Sequence, residues 1–395
     1  MAVAGVSGAD SALVGATVHV SPAEVPIRKG VVLIQGARIA AAGTKAAVHV
    51  PRTAQVIDCS GLAITAGFWN SHVHFFERKW AEAAAIPAPE LGRQLQDTFT
   101  RYGFTNVFDL SSPWENTRSL RDRIESGEVA GPRIRSTGEG MIPPGALPSE
   151  EIGNFMGLMK TPLPEISDAA QAAAATRKLL NQGVDGIKLF ASSPGGATLP
   201  ESAIRAAVDE ARRSAKPVFV HPNNDADVLA AIRAGADVVA HTTPRSGPWG
   251  EAIFAAAKNR RAALTPTLTI WRFFLRHDRW STQEQVARTA AGQLQAWVQS
   301  GGTVLFGTDL GAVDPDPSDE YASMSEAGMS FPQILASLTT APATQFGAPE
   351  QTGRIAPGFQ ADLVVLKQDP TKDIRALAAV QYTVRAGKLV YRAGG

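Results

Sequence analysis

One cysteine, Cys59, stands in a chain of 395 residues, so no intramolecular disulfide can form. That fits a reducing compartment. An excess of charge is missing too. With 38 Lys and Arg against 37 Asp and Glu the formal net charge is +1, and no overall field favours nucleic acid or an anionic membrane. No apolar run is long enough for a membrane span. Met1 to Ala12 holds neither a basic n-region nor a long apolar h-region, so the cytoplasm is the expected location; a chain that had lost a signal peptide would read the same. These absences leave a small-molecule partner, with homo-oligomerisation open.

What is present is organised around Gly67-Phe68-Trp69-Asn70-Ser71-His72-Val73-His74-Phe75, which continues an apolar run from Leu62. The pattern predicts a buried strand followed by a loop. In an extended chain alternate side chains share a face, which puts His72 and His74 together and Val73 opposite. Two imidazoles on one face are half a metal site, or a pair of hydrogen-bonded buried histidines. Further candidates decide between these. Lys188, His221, His241 and Asp309 each lie in or at the end of an apolar run of their own: 186–190, 217–221, 237–241 and 303–309. Singly, Lys188 could snorkel, His221 and His241 could cap strands, and Asp309 could cap a helix. Their joint occurrence in this order favours a metal centre.

From Leu13 to Ile57 the signals are short strands and turns. After His74 the pattern becomes helix, glycine, short apolar strand: Leu91–Tyr102 before Gly103, Ala169–Gln182 before Gly183, Ala226–Ala234 before Gly235, and Gln285–Ser300 before Gly301. Glycine just past a helix suits a left-handed C′ position, and short two-sided apolar runs suit buried parallel strands. About eight such strands predict an α/β fold, a (β/α)8 TIM barrel with its site at the carboxyl ends of the strands. Strand signals return at 361–366, 379–384 and 388–391. They are expected to join the N-terminal strands in a small composite β-sandwich domain, residues 1–60 and 353–395, with the barrel, 61–352, inserted.

The entry Ala66-Gly67-Phe68-Trp69-Asn70-Ser71-His72-Val73-His74 and the return Gly353-Arg354-Ile355-Ala356-Pro357-Gly358-Phe359-Gln360-Ala361-Asp362-Leu363-Val364 resemble the amidohydrolase superfamily. Within it the chain looks most like the branch of imidazolonepropionase, metal-dependent dipeptidases and ochratoxinase. The resemblance implies two divalent metal ions: His72, His74 and Asp309 on one, His221 and His241 on the other, and Lys188 bridging them as its carbamate. The chain departs from many relatives in Pro222-Asn223-Asn224, where a small residue and a further histidine are usual.

A lysine between Ile187 and Leu189 in a barrel interior is costly to keep charged, so its neutral, CO₂-reactive amine becomes accessible. Carbamate, carboxylate and a bridging hydroxide would set roughly three negative charges against four positive. Zn²⁺ suits imidazole and carboxylate ligands. The expected reaction is attack by that hydroxide on an amide or peptide carbonyl, with Asp309 as general base and then acid. Aromatic residues near two strand ends, Trp69, Phe75, Phe76 and Trp80, then Trp271, Phe273, Phe274 and Trp280, point to an apolar or aromatic group on an N-acyl amino acid, dipeptide or aryl amide. They suit helix packing equally well. His277, among Arg272, Arg276 and Arg279, reads as a solvated helical face. The alternatives are a deaminase or cyclic-amide hydrolase, for which only Asp225 and Asp227 follow His221, and an inactive structural relative.

Overall fold

The structure, a computed structural model, describes residues 10–145, 163–192, 197–274, 283–309 and 315–394. Five strands lead: β1 (Ser11–Val18), β2 (Ile27–Gln35), β3 (Arg38–Thr44), β4 (Gln55–Asp58) and β5 (Ala63–Ala66). Eight parallel strands follow, β6 (Phe68–Val73), β7 (Phe104–Asp109), β8 (Arg133–Ser136), β9 (Ile187–Phe190), β10 (Val218–His221), β11 (Val238–Ala240), β12 (Ala263–Thr265) and β13 (Thr303–Val304), and β14 (Leu363–Leu366), β15 (Val380–Arg385) and β16 (Lys388–Arg392) close the chain. Helices separate the parallel strands. Those at Ala169–Gln182 and Asp225–Ala234 end on Gly183 and Gly235 at φ 93° and 98°, the left-handed caps read from the sequence.

The N- and C-terminal strands form one sheet in the order β16-β15-β14-β5-β1-β2-β3, with β4 beside β1. The sheet of this small β domain is continuous and folds over its own core. Strands β3 and β14 stand four places apart in it, yet Arg38 pairs with Gln360 just ahead of β14, and Val32, Ile39, Leu363 and Val384 share one apolar cluster. A difference from expectation is at Gly67. The apolar run Leu62–Val73 is two strands, β5 in this sheet and β6 among the parallel strands. The chain changes sheets where Gly67 N–H bonds to Asp362 O, and a Cβ on Gly67 would lie 2.2 Å from Thr105 Oγ1.

The parallel strands form two sheets, β6-β7-β8 and β13-β12-β11-β10-β9. Backbone bonds cross both seams: Asp185 N to Ser136 O (2.7 Å) and Met141 N to Lys188 O (2.9 Å) on one side, Ser71 N to Phe306 O (2.7 Å) and Asp309 N to His72 O (2.8 Å) on the other. The expected run Thr303–Asp309 is a strand only at Thr303–Val304, because Phe306 N–H turns away to Ser337 O. Alternation sets what faces inward. Ile187, Leu189, Val218 and Val220 pack under the helices, while Phe219, the register partner of Lys188, joins Trp69, Phe108 and Phe346 in a separate inner cluster. No helix among the described residues is long and apolar enough to cross a membrane.

Candidate metal centre

Six side chains meet at the carboxyl ends of the parallel strands. His72 comes from β6 and His74 follows it; Lys188 is in β9, His221 ends β10, His241 follows β11, and Asp309 closes the segment after β13. The ring centroids of His72 and His74 are 5.2 Å apart, those of His72 and His241 4.6 Å, and those of His221 and His241 4.5 Å. Asp309 Oδ1 lies 2.8 Å from His74 Nε2 and 3.4 Å from His72 Nε2, and Oδ2 lies 3.8 Å from His241 Nε2. Donor atoms of His72, His74 and Asp309 all fall within 4.8 Å of one another, a potential metal site.

Buried polar groups normally find hydrogen-bond partners. Here both ring nitrogens of His72 and Nδ1 of His74 find none among the described residues. A cation would take the one lone pair a neutral imidazole offers, so the donor set fits a metal. The electrostatics agree. Burial pushes His72 and His241 well below their usual values and His221 down to about 3, leaving neutral imidazoles. Burial alone would raise the Asp309 carboxyl, but the surrounding imidazoles of His72, His74 and His241 reverse this and hold it well below the usual range. Lys188 is 1 % exposed, with Nζ 5.3 Å from the Phe190 ring centroid; burial brings its amine down to about 7 against the opposing pull of Asp309.

The backbone at the site is strained. His241, Thr267, Asp309 and Ser111 all have positive φ, at 82°, 45°, 58° and 87°. Such conformations cost roughly 1–3 kcal/mol each and persist where surroundings enforce them. Asn70 is one enforcer: its Oδ1 accepts from Thr308 N (3.2 Å) and His72 N (3.3 Å), and its Nδ2 donates to Thr308 Oγ1 (2.8 Å). Glu320 is another, its buried carboxylate accepting Leu268 N and Thr269 N at 2.8 Å each, just after Thr267. Gly307 lets the strands approach, since a Cβ there would stand 2.4 Å from Thr265 Cγ2 and 2.7 Å from His72 Cβ.

Sequence reasoning passed over Asp109, Thr267 and Glu320. Asp109 ends β7 as Asp309 ends its own segment, and this parallel was the available signal. It is fully buried, accepts from the Ser112 hydroxyl and from Ser136 Oγ (2.6 Å), and Ser112 in turn accepts Phe75 N at 2.7 Å. Burial raises its carboxyl to about 6. Asp227 is occupied as an acceptor, taking Ser192 Oγ (2.5 Å) and Asn223 N (2.9 Å). Asn223 Nδ2 donates to Ser192 O at 2.6 Å, so the departure at 222–224 ties β10 to the end of β9.

Of the aromatic candidates, Phe76 is half-buried and stacks on His74 at 4.3 Å, and Trp271, also half-buried, donates to the hydroxyl of Thr242, the residue after His241. Trp69 lies instead in the inner cluster, and Phe75 and Trp80 pack with Phe99 in the core. Arg276, His277, Arg279 and Trp280, and the side chains of Arg272, Phe273 and Phe274, lie outside the described residues.

The amidohydrolase family model matches residues 63–390. An ochratoxinase of Aspergillus niger is 23 % identical over 365 residues, covering 82 % of this chain and 74 % of that protein. A Xaa-Pro dipeptidase with methionine in its active site superposes with a TM-score of 0.83 at 21 % identity, over 98 % of this chain and all of the other. A prolidase in complex with N-methylphosphonate-L-proline superposes at 0.77 with 28 % identity, over 97 % and 100 %.

Proposed function

Since the chain belongs to the amidohydrolase family and is a hydrolase of carbon–nitrogen bonds, we propose that it cleaves the amide of an N-acyl amino acid, dipeptide or aryl amide. The observation that carries this is the convergence of four histidines, one carboxylate and one desolvated lysine at the carboxyl ends of parallel strands. We read the two parallel sheets as one eight-stranded (β/α)8 barrel closed by the seam bonds. The composite β domain holds residues up to about 60 and from 353 on, with β5 added to it by its pairing.

In this reading His72, His74 and Asp309 hold one divalent ion, His221 and His241 a second, and Lys188 joins them. Neutral imidazole and carboxylate donors suit Zn²⁺. Such ions, when bound, supply Lewis acidity toward a carbonyl and lower the pKa of water. The chain's own residues do the rest. A Lys188 amine about half neutral near pH 7 attacks CO₂; the new N–C bond and one released proton leave an anionic carbamate. Asp309, ionised and close to three imidazoles, takes the proton that attacking water gives up and returns it to the departing nitrogen. Phe76 on His74 and Trp271 beside Thr242 offer apolar faces at the mouth, which supports an apolar or aromatic group on the substrate. The similar structures hold small ligands of this kind: methionine in the Xaa-Pro dipeptidase and N-methylphosphonate-L-proline in the prolidase.

The test is elemental analysis of protein purified without chelator, followed by a screen of N-acyl amino acids, dipeptides and anilides. Two metal equivalents and amide turnover are expected. One equivalent with ammonia release from an amino-substituted ring would overturn the reading in favour of deamination.

A further inference from the structure

A cavity of about 480 Å³ opens at the other end of the parallel strands from the metal centre. Its lining includes Asp185, Pro217 and Asp237, each just ahead of the strand it leads into, whereas the histidines and Asp309 stand past the strand ends. Phe346 separates the two. It lines this cavity, and its ring meets Trp69 at 5.5 Å, Phe108 at 4.9 Å and Phe219 at 5.8 Å, an aromatic layer between the cavity and the metal centre.

The walls carry uncompensated positive charge. Arg135, Arg212 and Lys216 face Asp185 and Asp237. Asp185 accepts from Arg121 Nη1, outside the lining, at 3.0 Å and from Ser136 N at 3.1 Å, and pairs with Lys216 Nζ at 4.0 Å. With Arg121 counted, four cations stand against the two carboxylates of Asp185 and Asp237, a surplus of two, and Asp237 Oδ2 is taken by Val218 N at 2.8 Å. Arg135 is fixed for the task. Its Nη1 donates to Phe346 O at 2.6 Å, its guanidinium lies over the Trp69 ring at 5.3 Å, and among the described residues it has no ion-pair partner within 4.0 Å. A planar fork held by packing binds an oxyanion with little further ordering. Arg212 is anchored similarly through Gly235 O at 3.1 Å.

We propose that this basal cavity is a binding site for a tetrahedral oxyanion dianion, a phosphate group free or carried by a small metabolite. The surplus of two positive charges matches a dianion, and the volume exceeds what a phosphate alone fills. Isothermal titration of the metal-loaded full chain with inorganic phosphate, at constant ionic strength, tests it. The same titration is run on Arg212→Gln/Lys216→Gln, whose side chains are surface-accessible, and on the metal-stripped parent. Saturable binding in the parent with and without metal, weakened at least tenfold in Arg212→Gln/Lys216→Gln, is expected. Loss of binding on removal of the metal would place the phosphate at the metal centre and overturn the proposal, as would equal binding in the parent and in Arg212→Gln/Lys216→Gln or no saturable binding in the parent. A phosphate monoester that binds more tightly than inorganic phosphate marks a metabolite as the source, and the reverse order marks the free ion.

Discussion

His241 Nδ1 and Thr267 Oγ1 lie 2.6 Å apart, and the same hydroxyl donates its proton to Pro266 O at 2.9 Å. A hydroxyl has one proton to give. With it committed to Pro266, the imidazole is the donor, which favours the Nδ1–H tautomer and leaves the Nε2 lone pair facing Asp309, where an ion would be held. Partners of this kind typically contribute 10- to 100-fold to metal affinity. Thr267→Val keeps the shape and removes the acceptor; a fall of about that size is expected in a metal titration against a chelating indicator. An affinity within twofold of the parent would show that Thr267 does not set the tautomer.

Lys188 makes the unloaded site costly. An amine at about 7 in the fold and about 10.4 in the unfolded chain binds its proton less well when folded, so its contribution to stability is lost as pH falls from the higher value toward the lower. At pH 7 that loss is roughly 4–5 kcal/mol. Lys188→Met removes it while filling similar space. The metal-free variant is expected to melt higher than the metal-free parent by calorimetry, with amide turnover abolished. A lower melting temperature would refute the burial cost.

The same amine sets a pH dependence for reloading. Only its neutral form reacts with CO₂, and that fraction rises roughly tenfold from pH 6 to pH 8 for a value near 7. Metal-stripped protein given Zn²⁺ at the same dissolved CO₂ concentration is expected to regain activity faster at pH 8 than at pH 6. Recovery at the same rate at both pH values would show that the Lys188 amine does not set it.

The candidate site was legible because each chemical residue ends or interrupts an apolar run; a lysine amid Ile187 and Leu189, or an aspartate after Leu305-Phe306-Gly307, has no solvent to excuse it. The helix-to-glycine punctuation was legible for an equally local reason, the left-handed backbone at Gly183 and Gly235. What depends on distant pairing was not. Nothing in Leu62–Val73 announces that Gly67 changes sheets, since the contacts that require a glycine there come from Thr105 and Asp362. The basal cations Arg135, Arg212 and Lys216 sit in three separate segments with ordinary surface-like neighbours, and only the topology gathers them. Glu320, holding the loop after Thr267, is 52 residues from Leu268.

Histidines held neutral by burial govern acid stability. The folded values of His72, His221 and His241 lie below the unfolded one near 6.5, so the unfolded chain takes up protons first and stability is lost as pH falls below about 6.5. Each such group contributes about 1.4 kcal/mol per pH unit, down to about pH 3 for His221. Denaturant midpoints of the metal-free protein should fall steeply between pH 6.5 and 5. His221→Asn should flatten the dependence by about one proton, and an unchanged slope would contradict the neutral imidazole.

Asp309 separates binding from chemistry. Its carboxylate meets His72, His74 and His241 from a strained backbone position at φ 58°, a conformation asparagine tolerates as well as aspartate does. Asp309→Asn therefore keeps the fold and an oxygen donor but loses the base. General acid–base groups contribute about 10²- to 10⁴-fold. Turnover is expected to fall by that factor, with the melting temperature little changed and most of the metal retained by elemental analysis. Retained turnover with full metal content would move the proton transfer to another group, and Asp109, raised by burial to about 6, would be the next residue to replace.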